Sequence, residues 1–343
     1  MRRALLLILT LLTSCTAQTP TTSGPTTAPL MTDFVIPTLS PKPSPTIYTG
    51  HYGFLIASAA GYTIRSESGT AASLGTIDLD PIAVAPDGRF VAGWTRAGNE
   101  LQIRDVTAPA TLVRSTKLAA GERGTFVTWS VDESGVLFSV NGPGWSALRT
   151  LDVTSATAAA KEVTRIDGVA LRPVVWDRLG GDLVAGLIVE GGSAKEYLLI
   201  KGAETPVRKT LPDKRWQEAP AVSGDGRFIV LAAQAEPLLR TFSTDDPTFV
   251  VETHGLNATT GASAIGRPGS GQLGVVLDRQ FYLWDPTGPR EPFSTQPIVS
   301  VVGFRFDGSA AIVRTLDGLA LLDVTAKTFR PLTDDVRFGI ALP

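Results

Sequence analysis

The chain has 343 residues, 43% hydrophobic and 19% charged, with a formal net charge of −2. That is ample apolar material for a core, and no basic stripe is present that would neutralise nucleic-acid phosphates. One cysteine excludes a disulfide framework or a thiolate cluster, and two histidines, His51 and His254, leave little for a histidine-rich metal site; no metal or cofactor is expected.

Arg2 and Arg3 precede an apolar run from Ala4 to Leu12, too short to span a bilayer. Leu12-Thr13-Ser14-Cys15 follows: an aliphatic residue, two small residues and the lone cysteine. This resembles a bacterial lipobox. The resemblance implies a signal peptide over residues 1–14 and acylation of Cys15, palmitate being the natural label. Two or three acyl chains anchor durably where one does not. An ordinary secretory signal with an incidental cysteine is the alternative. Thr16 stands where an Asp would resemble an inner-membrane retention signal. The expected location is therefore the cell envelope, lipid-anchored and extracytoplasmic: the outer membrane of a two-membrane cell, or the outer face of a single membrane. Residues 15–46 are rich in Thr, Pro and Ser. Such a composition buries too little apolar surface to offset its ordering entropy, so a disordered tether is expected, reaching on the order of 90 Å when extended.

From residue 47 onward one stretch keeps returning, an Asp-Gly turn followed by an apolar strand. It reads APDGRFVAGW (85–94), SVDESGVLFSV (130–140), VWDRLGGDLVAGLIV (175–189), VSGDGRFIVLAA (222–233), GRPGSGQLGVVL (266–277) and FRFDGSAAIVRT (304–315). Its glycines, Gly88, Gly135, Gly181, Gly226, Gly271 and Gly308, are 47, 46, 45, 45 and 37 residues apart. A second marker follows in four units, an apolar strand ending in Asp and a turn: QIRDVTAP (102–109), LRTLDVTSAT (148–157), YLWDPTG (282–288) and LALLDVTAKT (319–328). Each unit therefore reads as four antiparallel strands, and a period in the forties built from short strands predicts an all-β propeller over residues 47–343. The recurring Asp residues bond nearby backbone amides in tight turns, and Gly supplies positive φ. Six units begin near Ile82, Phe126, Leu171, Ala219, Ala262 and Val299. His51 to Ile77 holds about three further strands and VRFGIAL (336–342) one. Because an open ring leaves edge strands unpaired, the C-terminal strand is expected to complete the N-terminal sheet from its innermost position, giving seven blades. Six blades with the fragments as caps is the alternative.

The turn motifs APDGRF, SGDGRF and FRFDGS, with RDVTAP, LDVTSA, WDPTG and LDVTAK later in the units, resemble TolB-like and WD-repeat β-propellers over roughly residues 50–343. Trp-Asp occurs only as Trp176-Asp177 and Trp284-Asp285, and the Gly-His pair of the WD family is not seen at the blade starts. No TolB amino-terminal domain precedes the repeats. The resemblance therefore implies fold far more than partner.

Loops between blades and between second and third strands crowd one face of a propeller, where ligands usually meet it. The densest polar-aromatic group there is Lys214, Arg215, Trp216, Gln217 and Glu218; Trp145 sits among Gly and Pro on an expected loop. Exposed Trp and Arg are favoured interface anchors, so Trp145, Lys214, Arg215, Trp216 and Glu218 are the candidate contacts. Against this, Trp216 also reads as a residue entering an inner strand and packing between blades. No nucleophile elbow or calcium loop is found. A carbohydrate-active hydrolase or lyase would need paired acids from separate loops, with Asp213, Glu218 and Glu252 as conceivable members. The reading is thus a membrane-anchored binding or scaffolding module for an envelope protein, a glycan or a small ligand, with the enzyme as the alternative.

Overall fold

The Asp-Gly turns join first to second strands, and the Asp-Thr turns join third to fourth, in a succession of antiparallel sheets. The computed structural model describes residues 53–342 apart from 59–60, 67–70, 73–78, 87–88, 106–110, 257–260, 289–291, 294–295, 306 and 333–338, with side chains described over residues 79–332. The expected signal peptide, Cys15, the tether, His51 and Gly88 lie outside the described residues.

Among the described residues there are seven sheets, six of four strands and one of three, and the architecture is a β-propeller. After the first, the sheets run from Leu79–Val84 to Leu112–Lys117, Arg123–Trp129 to Lys161–Asp167, Ala170–Asp177 to Val207–Thr210, Ala221–Val222 to Val250–His254, Ser263–Gly266 to Gln280–Trp284, and Ile298–Phe304 to Phe329–Pro331. In each the strands pair in chain order, so the first strand forms one edge. The first sheet departs from this. Gly53–Ser58, Gly61–Ser66 and Ala71–Ala72 are joined on that edge by Gly339–Leu342, in the register Gly53↔Leu342 to Ile56↔Gly339. The C-terminal strand thus occupies the position that a first strand takes elsewhere, as the edge-strand argument predicts. In the three-stranded sheet the fourth position shrinks to a single bridge, Tyr282↔Pro292.

The Asp turns work as local chemistry predicts. Asp152 Oδ1 accepts from the amides of Thr154 at 2.9 Å and Ser155 at 3.2 Å. Asp285 accepts from Thr287 at 2.9 Å, and Asp323 from Thr325 at 2.8 Å. The glycines divide into two kinds. Gly181, Gly226 and Gly308 take positive φ, but in the turns of Gly135 and Gly271 that conformation falls to Glu133 (φ 61) and Gly269 (φ 62). Gly135 is needed for close approach instead, since a Cβ there would lie 2.4 Å from the Trp176 ring.

The core lies between sheets. Trp94, Leu101 and Ile103 of one sheet pack on Trp129, Val136 and Phe138 of the next. Leu137 and Leu148 meet Trp176, Val184 and Leu198. Leu187, Tyr197 and Trp216 meet Leu231 and Phe242, and equivalent clusters join the following pairs. Buried tryptophans place their indole N–H on partners, as the cost of an unsatisfied donor demands. Trp129 Nε1 donates across the sheet boundary to the Ala83 carbonyl at 3.0 Å.

Candidate functional site

The loops on one face are tied to one another through the backbone. The Leu118 amide donates to Asn99 O at 2.9 Å, Gly124 to Gly98 O at 2.7 Å, Gly168 to Gly144 O at 2.9 Å, Gly255 to Pro237 O at 2.6 Å and Ile298 to Arg279 O at 2.8 Å. Each bond links a loop between second and third strands to the connection leading into the following sheet or to the start of that sheet's first strand. The segment 211–220 is the longest fully described connection of this kind. Leu211 N donates to Lys195 O, Gln217 N to Ala232 O, and Gln234 N to Arg215 O.

Trp216 anchors that segment from inside. It is 0% exposed, bridges Ala194 on one side and Ala233 on the other, and donates from Nε1 to Pro212 O at 3.1 Å. This corrects the expectation of Trp216 as a surface contact: its indole fills the seam between two sheets, where an apolar ring gains most from burial. Lys214 forms an ion pair with Glu236 and is part-exposed, while Arg215 is exposed.

Trp145 is also less available than its loop-like neighbours implied. It is the first residue of the strand Trp145–Asp152, half-buried, with the Arg165 guanidinium 3.8 Å over its ring. A Cβ on Gly142 would fall 2.2 Å from that ring, so glycine is what lets the indole fold back over the loop. The covering cation belongs to a network. Arg149 holds Glu122 through two hydrogen bonds of 2.8 and 2.6 Å, and Glu162 sits between Arg149 at 3.3 Å and Arg165 at 2.7 Å. Arg149 hydrogen bonding holds the Glu122 carboxyl below its ordinary value, against an opposing push from burial; Arg165 does the same for Glu162. A carboxylate depressed in the folded state contributes stability above its unfolded pKa, about 4.3 for glutamate, and loses it as pH falls through the folded value. The denaturant midpoint is therefore expected to be flat near neutrality and to fall below about pH 4.3, with part of that fall missing in Glu122→Gln. Identical pH profiles for the two proteins, in urea titrations from pH 7 to 3, would contradict the assignment.

A channel of about 780 Å³ is lined by the inner strands of six sheets. Its walls are mostly apolar, including Ile82, Val84, Val174, Ile265 and Val302. Among the described residues lining it, Arg172 is the cation and Glu133, in a turn of the opposite face, the acid. Two backbone irregularities shape the wall near Arg172. The register shifts between Gly124 and Val127, where Phe126 lies, and again between Pro173 and Val175; such bulges re-aim side chains. The Arg172 guanidinium sits 4.2 Å from the Phe126 ring centroid, and Nη1 is 3.8 Å from Glu218 Oε2. That separation exceeds a hydrogen bond. Burial lowers the Arg172 pKa from its ordinary value, with the Glu218 charge acting in the opposite direction; it remains a cation throughout the accessible range.

Of the predicted residues, then, Glu218 approaches the channel-lining Arg172, Lys214 and Arg215 stand on the loop face, and Trp145 and Trp216 support it. The conceivable acids do not converge. Asp213 is exposed on the loop, Glu218 faces Arg172, and Glu252 lies on the outermost strand of its sheet, paired with Arg240 and 3.8 Å from His254. No group of three His, Cys, Asp or Glu able to hold a metal occurs among the described residues. Sequence reasoning missed Arg172 and Phe126. The available signal was Arg172 itself, the one charge within Leu171-Arg172-Pro173-Val174-Val175-Trp176.

No protein-family model and no curated relative matches the sequence. Solved structures do match in fold. The Pseudomonas aeruginosa periplasmic gluconolactonase PpgL is 14% identical with a TM-score of 0.55, covering 85% of this chain and 99% of that one. A putative 6-phosphogluconolactonase from Bacteroides uniformis is 15% identical with the same TM-score and coverages. The Swd1 β-propeller domain from Myceliophteria thermophila is 13% identical, TM-score 0.50, covering 80% and 88%. Identities this low speak for the β-propeller fold alone.

Proposed function

We propose that this β-propeller is a lipid-anchored, extracytoplasmic binding or scaffolding module of the cell envelope. One fold of this kind hosts many unrelated activities, so function is argued from the site. The observation that carries the reading is the succession of loop-to-loop backbone hydrogen bonds on one face. Loops fixed in this way lose little freedom on binding, which favours a preorganised recognition surface. Arg215 and the Lys214–Glu236 pair give that surface its charged contacts, and the partner is an envelope protein or glycan. Cys15 and the Thr/Pro/Ser-rich segment behind it would hold the ring near the membrane.

The test is crosslinking and capture of the native protein from its own envelope, beside two variants. Lys214→Ser with Arg215→Ser leaves Trp216 in place and is expected to lose a recurrent partner. Cys15→Ser is expected to lose palmitate labelling and release the protein from membranes. Absence of any partner, or capture unchanged by the loop variant, contradicts the binding face. Persisting palmitate in Cys15→Ser contradicts the anchor.

A further inference from the structure

Among the described residues, the channel-wall cation Arg172 has no hydrogen-bond acceptor. Arg172 has five N–H donors, and its contacts are the Phe126 ring face and a carboxylate too distant to accept a hydrogen bond. Its side chain is 22% exposed, and that exposure opens to the channel it lines. A guanidinium desolvated by apolar walls and left without acceptors pays a penalty that a bound anion removes. We infer that this end of the channel binds a small organic carboxylate, its two oxygens on the Arg172 guanidinium stacked on Phe126, its apolar body along the inner strands, with Glu218 flanking.

Three features select this ligand class. Guanidinium is planar and matches carboxylate oxygens two at a time, and stacking on an aromatic ring fixes the plane in which it offers them. The volume, about 780 Å³, falls within the range of small-molecule pockets, and the walls suit an apolar body. Charge then discriminates between anions. With Glu218 3.8 Å from Arg172, the only lining cation among the described residues, a singly charged carboxylate leaves one excess negative charge. A phosphate dianion leaves two in the same low-dielectric space, so the monoanion is favoured. Glu218 competes for Arg172, and the ligand displaces its weak hold.

This inference rests on the ring being a binding module, yet its test is separate from partner capture. The purified full chain would be titrated by calorimetry at low salt with hexanoate and 3-phenylpropionate, and with the corresponding amides. The acids are expected to bind at least tenfold more tightly than the amides. Arg172→Met is expected to lose acid binding at least tenfold while its melting temperature stays within about 2 °C, because a desolvated ion is replaced by an apolar side chain of similar reach. Glu218→Gln is expected to tighten acid binding severalfold, which no purely structural role predicts. Equal affinity for acid and amide, no binding of either acid, retained affinity in a folded Arg172→Met, or unchanged or weaker binding in Glu218→Gln overturns the site. If the acids fail while envelope capture still recovers a partner, only this inference falls; if the acids bind and capture recovers nothing, only the scaffold reading falls.

Discussion

Removing residues 339–343 should lower the thermal midpoint by about 10 °C, corresponding to a loss on the order of 3–5 kcal/mol. The strand Gly339–Leu342 pairs with Gly53–Ser58 and stands where the other sheets carry their first strand. Its removal deletes a ladder and leaves the inner edge of the first sheet unpaired. An exposed edge also templates pairing with other chains, so the truncated protein is expected to associate at concentrations where the intact one does not. Thermal melts and light scattering on both proteins decide the matter. An unchanged midpoint would mean that the ring does not depend on this pairing.

Trp216→Ala should be comparably damaging, by about 3–5 kcal/mol, the usual range for deleting a fully buried aromatic. The indole is 0% exposed, packs within the cluster that joins the fourth and fifth sheets, and donates to Pro212 O. Its loss opens a cavity in a seam and frees the connection that carries Glu218 to Arg172. Trp216→Phe keeps most of the ring volume and loses the hydrogen bond, so about 1 kcal/mol is expected. Denaturant unfolding of the three proteins gives both values. A Trp216→Ala variant within about 1 kcal/mol of the parent contradicts the packing role.

How much of this could be read beforehand depends on how local the chemistry is. The Asp turns were legible because Asp152, Asp285 and Asp323 each bond an amide two residues ahead, an interaction written wholly within the motif. Ring closure was legible because an unpaired edge is unfavourable in any sequence. The positive φ at Glu133 was not, since Glu133 follows Asp132 where Gly226 and Gly308 follow Asp225 and Asp307, and a glutamate there does not announce that conformation. Trp145 was read as a free anchor because nothing in its own neighbourhood announces Arg165, twenty residues on, as its cover. The channel site is the least local feature. Phe126, Arg172 and Glu218 come from three successive sheets or their connections, and a register shift lies beside two of them. A bulge adds one residue to a strand without changing its composition, so alternation patterns do not reveal it.

The pairing of Gly53 with Leu342 also imposes a sequence of events on synthesis. The two residues lie about 290 positions apart, and closing so long a loop carries about 3 kcal/mol more entropy than closing a ten-residue hairpin. The sheets between them are built from neighbouring hairpins and have no such delay. Each one that forms shortens the free chain separating the ends. During translation, the first sheet therefore waits with one side bare until every other sheet has emerged. The earliest strands made are the last to be completed.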